Sequence, residues 1–253
     1  MKYKYEKEAK NYQDLASGRV LYNQKGATAF PVRLASEIFL RAKAYLEQKK
    51  VKEPISIYDP CCGGGYMLSI LFFLHGNSIS KIYASDIEEE MVDLARRNLS
   101  LLKLEGINKR INELQEDIEK FNKESHKKAL KSAITLKETL DGMDSNPEIK
   151  CFLANALGDK PTIDKVCEAK EIIDKVDLVI TDIPYGNIVE WNKSATDDKE
   201  NIELFLNNML NFLNERSIIT IISDKKHKIE HKNYHRIKHC TIGKRRISFL
   251  EKN

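Results

Sequence analysis

No C-x-x-C occurs in this 253-residue chain, and its five cysteines, an odd number, include the adjacent pair Cys61 and Cys62. That usage supports neither a disulfide framework nor a zinc site, and it fits a reducing cytoplasm. Long apolar runs are missing too. The longest nearly apolar stretch, YMLSILFFLHG at 66–76, is too short to span a bilayer. The N-terminus, MKYKYEKEAKNYQ, has no apolar core of the kind a secretory leader needs. There is no internal repeat and no low-complexity linker, so a single domain over 1–253 is expected, with a basic arm and helix over 1–50. Net charge is only +4, which matters only if positive charge is concentrated somewhere. Present in quantity are apolar residues, 42% of the chain and enough for a core, and charged residues, 32% against a usual quarter.

The apolar pattern alternates between two periods. FPVRLASEIFLRAKAYLEQKK predicts a helix opened by Pro31, with Leu34, Ile38, Ala42 and Tyr45 on one face. ISIYD predicts a strand ending in Asp59, PCCGGG a glycine turn, and YMLSILFFLH a buried helix closed by Gly76. KIYASD predicts a second strand ending in Asp86, and IEEEMVDLARRNLSLL a helix with acids in its first turn. Between about 103 and 148, Leu104, Ile107, Ile111, Leu114, Ile118 and Phe121 recur at helical spacing, and a further helix is expected from Lys127 to Leu140. This predicts an inserted helical hairpin, packed or simply solvated. The alternation resumes with KCFLAN as strand, 161–174 as helix, KVDLVIT as strand, 199–214 as helix and SIITIIS as a fifth strand. Two strands around TIGKR close the chain. Repeated βα units imply an α/β, doubly wound, Rossmann-like sheet. A closing antiparallel hairpin is typical of the class I methyltransferase variant of that fold, which the pattern resembles, so a seven-stranded sheet is expected.

DPCCGGGY departs from a dinucleotide fingerprint. Gly63 and Gly65 give G-x-G, but Leu68 stands where the third glycine would be, and Asp59 sits at the mouth of the turn. A carboxylate there repels a diphosphate and suits a ligand carrying an ammonium and a sulfonium, such as S-adenosylmethionine (SAM). Cys61, Gly63 and Gly65 are the candidate backbone contacts. Asp86, at the end of the next strand, can accept hydrogen bonds from ribose hydroxyls or cap the helix that follows. Asn155 is a candidate for adenine or an ordinary turn residue.

TDIPYG, 181–186, ends the fourth strand with an acid, a proline and an aromatic. It is similar to the [DN]-x-P-[YF] motif of methyltransferases that modify nitrogen. Asp182 and the Ile183 carbonyl can accept hydrogen bonds from a target N–H, Pro184 fixes the turn, and Tyr185 offers a ring to stack a base. Trp191, the only tryptophan, is a second candidate stacking surface or a lid anchor. From Lys225 to Arg246 nine Lys or Arg stand against one acid, Glu230, with Tyr234 and His227, His231, His235 and His239 among them. Basic charge interleaved with rings predicts an RNA surface, with Lys244, Arg245 and Arg246 as phosphate contacts. The spacing of the histidines by four would suit metal on a helix, but dense positive charge opposes a cation, and no metal is expected.

Several segments together resemble the AviRa-type ribosomal RNA methyltransferases, a family linked to avilamycin (orthosomycin) resistance. They are AFPVRLASEIFLRA, DPCCGGGYMLSILFFLHGNSISKIYASDIEEEMVDLARRNLSLL, DLVITDIPYG with its trailing Trp191, and TIGKR. The resemblance covers well under half the chain, in preserved order from end to end. It implies SAM-dependent methylation of a guanine at N1 in bacterial 23S rRNA; a monomer with no obligatory protein partner and a cytoplasmic location are expected beside it. It carries cofactor contacts onto Asp59, Gly63, Gly65 and Asp86, the target site onto Asp182, Pro184 and Tyr185, and a place near the cofactor onto Arg33. It departs at Asn155, where an acid is expected. Resistance itself does not follow, since a housekeeping enzyme could share every motif. Two other functions fit parts of the pattern: methylation of a protein glutamine amide, and RNA binding without catalysis on the same scaffold.

Overall fold

The computed structural model describes residues 1–24, 29–158, 173–183 and 198–253. Along the chain these form α1 (Val32–Gln48), β1 (Ile55–Asp59), α2 (Tyr66–His75), β2 (Ile79–Asp86), α3 (Glu89–Ser100), α4 (Leu104–Phe121) and α5 (Glu124–Asp141). There follow β3 (Glu148–Leu153), β4 (Val176–Asp182), α6 (Asp198–Met209), β5 (Leu213–Asp224), β6 (Tyr234–Ile242) and β7 (Arg245–Lys252). The seven strands make one sheet, ordered β3-β2-β1-β4-β5-β7-β6. All pairings are parallel except those of β7, which is antiparallel to β5 and β6.

Neighbouring residues in each strand face opposite sides of the sheet, and here both sides are apolar. Ile57, Ile82, Ile180, Ile222 and Phe249 pack under α1, α2, α3 and the α4–α5 hairpin. Their neighbours Tyr58, Tyr83, Val179, Ile221 and Leu250 pack on the other side with Phe205 and Leu206 of α6 and with Ile229. α2 is buried nearly all round, as an almost uniformly apolar helix must be. Emptying it, for example by Phe72→Ala, is expected to cost about 3–5 kcal/mol.

Some expectations need correcting. Gly76 does not close α2 in the left-handed conformation; its φ is −53° and the chain continues into a short 3-10 turn. Its lack of a side chain matters for packing instead, since a Cβ there would lie 2.5 Å from the Met143 sulfur. In the hairpin, left-handed Asn122 ends α4, so α5 begins at Glu124 rather than Lys127. Ile107 and Leu114 form its buried seam, while Leu104 and Phe121 at the ends are exposed. The hairpin is not a solvated excursion. Ser132 on α5 donates to Asp14, and Arg110 on α4 donates through Nε to the Val20 carbonyl at 3.1 Å, so it clasps the N-terminal segment. α6 ends at Met209, and β5 begins at Leu213, opposite Val176, rather than at Ser217. The helix expected over 161–174 lies almost wholly outside the described residues.

The N-terminal arm is pinned rather than loose. The amides of Lys4, Tyr5 and Glu6 donate to the Glu37 carboxylate at 2.7, 2.8 and 2.9 Å. Ser36 donates to Glu6 at 2.6 Å and meets the His75 ring nitrogen at 2.8 Å.

Candidate active site

Three acids end three adjacent strands: Asp86 on β2, Asp59 on β1 and Asp182 on β4. The carboxyl edge of a parallel sheet is where helices and loops leave room for a ligand. Asp59 is buried, and its Oδ1 accepts the Cys61 amide at 3.1 Å. Its carboxyl is raised to about 7, chiefly by burial and also by the nearby charges of Asp86 and Asp182, against the Thr181 hydroxyl and the Cys61 amide. Asp86 is raised as well, chiefly by burial, although the amides of Glu88, Gly63 and Ile87 pull it back. Neither Asp59 nor Asp86 has a Lys or Arg partner among the described residues.

The glycine turn is built against these acids. Gly63 and Gly65 adopt φ of 50° and 70°, conformations that favour glycine. A Cβ on Gly63 would meet nothing within 4 Å among the described residues, which leave this side of the turn open to a ligand. A Cβ on Gly65 would press on the Ala95 backbone at 3.1 Å, and one on Gly64 would strike Leu94, which is why the turn can lie directly on α3. The Gly63 amide donates to Asp86 Oδ2 at 2.8 Å, while Asp86 Oδ1 accepts the Glu88 amide at 3.1 Å. Asp86 thus holds the glycine turn and the turn that leads into α3, whose N-cap is Glu88 and not Asp86. Its removal would disturb the glycine turn as well as any ribose contact.

A desolvated, mutually repelling set of carboxylates beside an open glycine backbone fits a ligand that brings positive charge. SAM is such a ligand. Asp59 and Asp182 would face its cationic groups, Asp86 its hydroxyls, and the Gly63 segment its small carboxylate.

Other sequence candidates are placed differently. Arg33 donates to the carbonyls of Glu6 and Lys7 and lies 4.1 Å from the Tyr3 ring, so it holds the arm and makes no contact with Asp59 or Asp86. Asn155 lies two residues beyond β3, and its side-chain oxygen accepts the Leu157 amide at 2.9 Å in a turn. Tyr234 is core, its hydroxyl donating to the Leu206 carbonyl at 2.8 Å. His227 and His231 lie in the loop before β6, and His235 and His239 on that strand, so the helical metal spacing does not apply. Pro184, Tyr185 and Trp191 lie outside the described residues.

The basic stretch divides in two. Asp182 pairs with Ile222, and Asp224 with Arg245, so the β6–β7 turn carrying Lys244 stands on the same edge of the sheet as the acids. Tyr234, paired with Lys252, marks the opposite edge. Lys244 is exposed. Arg246 instead donates to the His227 carbonyl at 2.8 Å, and Arg245 covers the Phe30 ring at 5.1 Å. Of the rest, Lys225, Lys226, Lys228 and Lys232 lie in the loop before β6, while Arg236 and Lys238 lie on it, the outermost strand, where Lys and Arg also discourage pairing with another chain.

Sequence reasoning missed Asn98. It is buried on α3, donates to the carbonyls of Gly64 at 2.8 Å and Tyr22 at 3.1 Å, and accepts the Tyr22 amide at 2.7 Å. The signal was a polar residue within the apolar stripe of Leu94, Ala95 and Leu99.

Comparison with known proteins gives concordant results. A family model described as rRNA methyltransferase AviRa matches residues 1–245. The 23S rRNA (guanine(2535)-N(1))-methyltransferase of Streptomyces viridochromogenes is 37% identical over 189 residues, 75% of this chain and 72% of that protein. The solved structure of rRNA methyltransferase aviRa from the same organism superposes with a TM-score of 0.84 at 30% identity, covering 99% of this chain and 96% of that one. TrmN from Thermus thermophilus, at TM-score 0.50 and 14% identity over 89% of this chain and 50% of its own, shares the fold alone.

Proposed function

Since the chain belongs to the AviRa family of rRNA methyltransferases, and is a SAM-dependent enzyme, we propose that it methylates N1 of a guanine in 23S rRNA, where ribosomes are made in the cytoplasm. The observation that carries this reading is the set of three acids on adjacent strand ends beside an open glycine turn, in a chain related to an enzyme of that named reaction.

SAM, when bound, supplies an electrophilic methyl group on a sulfonium. The residues do the rest. Guanine N1 carries a proton in the ring plane, so the nitrogen becomes nucleophilic only as that proton is drawn away. Asp182, at the carboxyl end of β4 and near enough to Asp59 for their charges to interact, can accept it. Ile183 fixes the direction of approach. It is buried, and its amide donates to the Ile222 carbonyl at 3.0 Å, which holds the chain rigid one residue past the acid. Pro184 and Tyr185 follow, with the roles of turn and stacking ring that the motif assigns. Methyl transfer then depends mainly on alignment, which rigid strand ends provide.

Tritium transfer from labelled SAM to a 23S rRNA transcript tests the reading. A methyl on N1 blocks Watson–Crick pairing, so reverse transcription should stop at one guanine. Label found only in protein would transfer the assignment to a glutamine amide. No label in either, with SAM bound, would leave a binding protein.

A further inference from the structure

Arg97, one residue before Asn98 on α3, lies with its guanidinium 4.0 Å from the centre of the Tyr22 ring. Arg110 of α4 lies 4.5 Å from the same ring, so two guanidinium groups flank one tyrosine. They are not equivalent. Arg110 donates to the Val20 carbonyl and, at 3.1 Å, to Glu113, which also accepts the Tyr22 hydroxyl at 2.7 Å. Arg97 is exposed; its carbonyl accepts the Ser100 hydroxyl at 2.7 Å, but its guanidinium has no hydrogen bond or ion pair with any described residue. Its plane is held by the ring while its N–H donors stay available, the arrangement that makes a guanidinium a good phosphate receptor. Tyr22 is in turn fixed through Asn98 to Gly64 of the glycine turn, so the stack is tied to the cofactor side of the site.

We propose that Arg97, braced on Tyr22, is a phosphate contact for the RNA substrate, on the glycine-turn side of the site, whereas Lys244 belongs to the β5–β7 side. The substrate is then gripped on two sides of the acidic edge, with its target base between them. This rests on the RNA reading above.

The test compares Arg97→Ala, Tyr22→Leu and Tyr22→Phe with the wild type, using a 23S rRNA transcript and a salt series. Wild-type protein that fails to bind the transcript overturns the RNA reading, and this inference with it. Given wild-type binding, Arg97→Ala should raise the RNA KM several-fold with kcat kept. It should also lower the log–log salt slope by about 0.7–0.9, the share of one phosphate. SAM affinity and melting temperature should stay as they were, since the Arg97 guanidinium bonds to no described residue and the backbone carbonyl that Ser100 meets is kept. Tyr22→Phe keeps the ring and should retain wild-type RNA binding, while Tyr22→Leu should behave like Arg97→Ala. A salt slope unchanged in Arg97→Ala, or a loss confined to melting temperature, would make the stack a feature of the fold alone.

Discussion

Glu37 and Asp59 are both buried acids, and the protein treats them in opposite ways. Glu37, fully buried on α1, loses hydration that would push its carboxyl up, but the amides of Lys4, Glu6 and Tyr5 and the Arg41 side chain outweigh that, and it lies below the ordinary carboxylate range. Asp59, just as buried, has one amide and the Thr181 hydroxyl against two like-charged neighbours, and it is raised to about 7. Burial is common to both; compensation is not. Where the chain supplies its own partners the charge serves the fold. Where it withholds them the charge waits for a ligand.

The largest effect should come from the compensated acid. Glu37→Ala leaves three amides and Arg41 facing a hole, and breaking a buried charged cluster from one side costs about 3–5 kcal/mol. Urea midpoints at pH 8 would show it. The folded carboxyl is depressed, so its contribution is present above the unfolded value and is lost as pH falls through the folded one. A loss no greater than that from an ordinary surface acid would break the comparison, because Glu37 would then not anchor the arm.

Asp59→Asn should act with the opposite sign. The amide keeps an oxygen for the Cys61 N–H, and the charge disappears. A carboxyl raised in the folded state contributes stability below its unfolded value of about 3.9, and that contribution is lost as pH rises through about 7. At pH 8 the variant should therefore be more stable than the wild type, by roughly 1–3 kcal/mol, and should lose most of its activity. A destabilised variant at pH 8 would mean that Asp59, like Glu37, is already compensated.

The same charge predicts how cofactor binding follows pH. Protonating Asp59 removes the attraction for a cationic ligand. SAM affinity should therefore weaken as pH falls below about 7, by up to about tenfold per unit, while Asp59→Asn binds weakly at every pH. Calorimetry from pH 5.5 to 8.5 would measure both. A flat wild-type profile would place the cationic end of SAM away from Asp59.

Legibility in the sequence followed the range of the interactions. The glycine turn, the three strand-ending acids and the order of α and β units depend on neighbours a few residues away, and their pattern could be read. The terminal hairpin was readable for the same reason. The arm was not, because it is held by backbone amides meeting Glu37 31 to 33 residues later, and backbone amides leave no mark in a sequence. Glu37 itself looks like half of an ordinary surface pair with Arg41. Asn98 and Arg33 likewise take their meaning from carbonyls of the N-terminal segment. The basic stretch misled by being continuous in sequence, since an outer strand distributes it from one edge of the sheet to the other.

The smallest effects should come from the cations of that stretch, and they extend the comparison to the other sign of charge. Arg246 is engaged within the protein, through its bond to the His227 carbonyl, whereas Lys244 stands exposed at the turn on the acidic edge. Arg246→Ala should cost about 1 kcal/mol of stability, the ordinary value of one hydrogen bond, because it frees the loop that leads to β6. Lys244→Ala should change stability by less than about 0.5 kcal/mol. It should instead lower the salt slope of RNA binding by about 0.7–0.9, the amount set by a single phosphate. Each variant thus moves one measurement and leaves the other still. If Lys244→Ala leaves the slope unchanged while Arg246→Ala lowers it, engagement within the protein does not predict which cations meet RNA. The rule drawn from Glu37 and Asp59 would then hold for buried acids only.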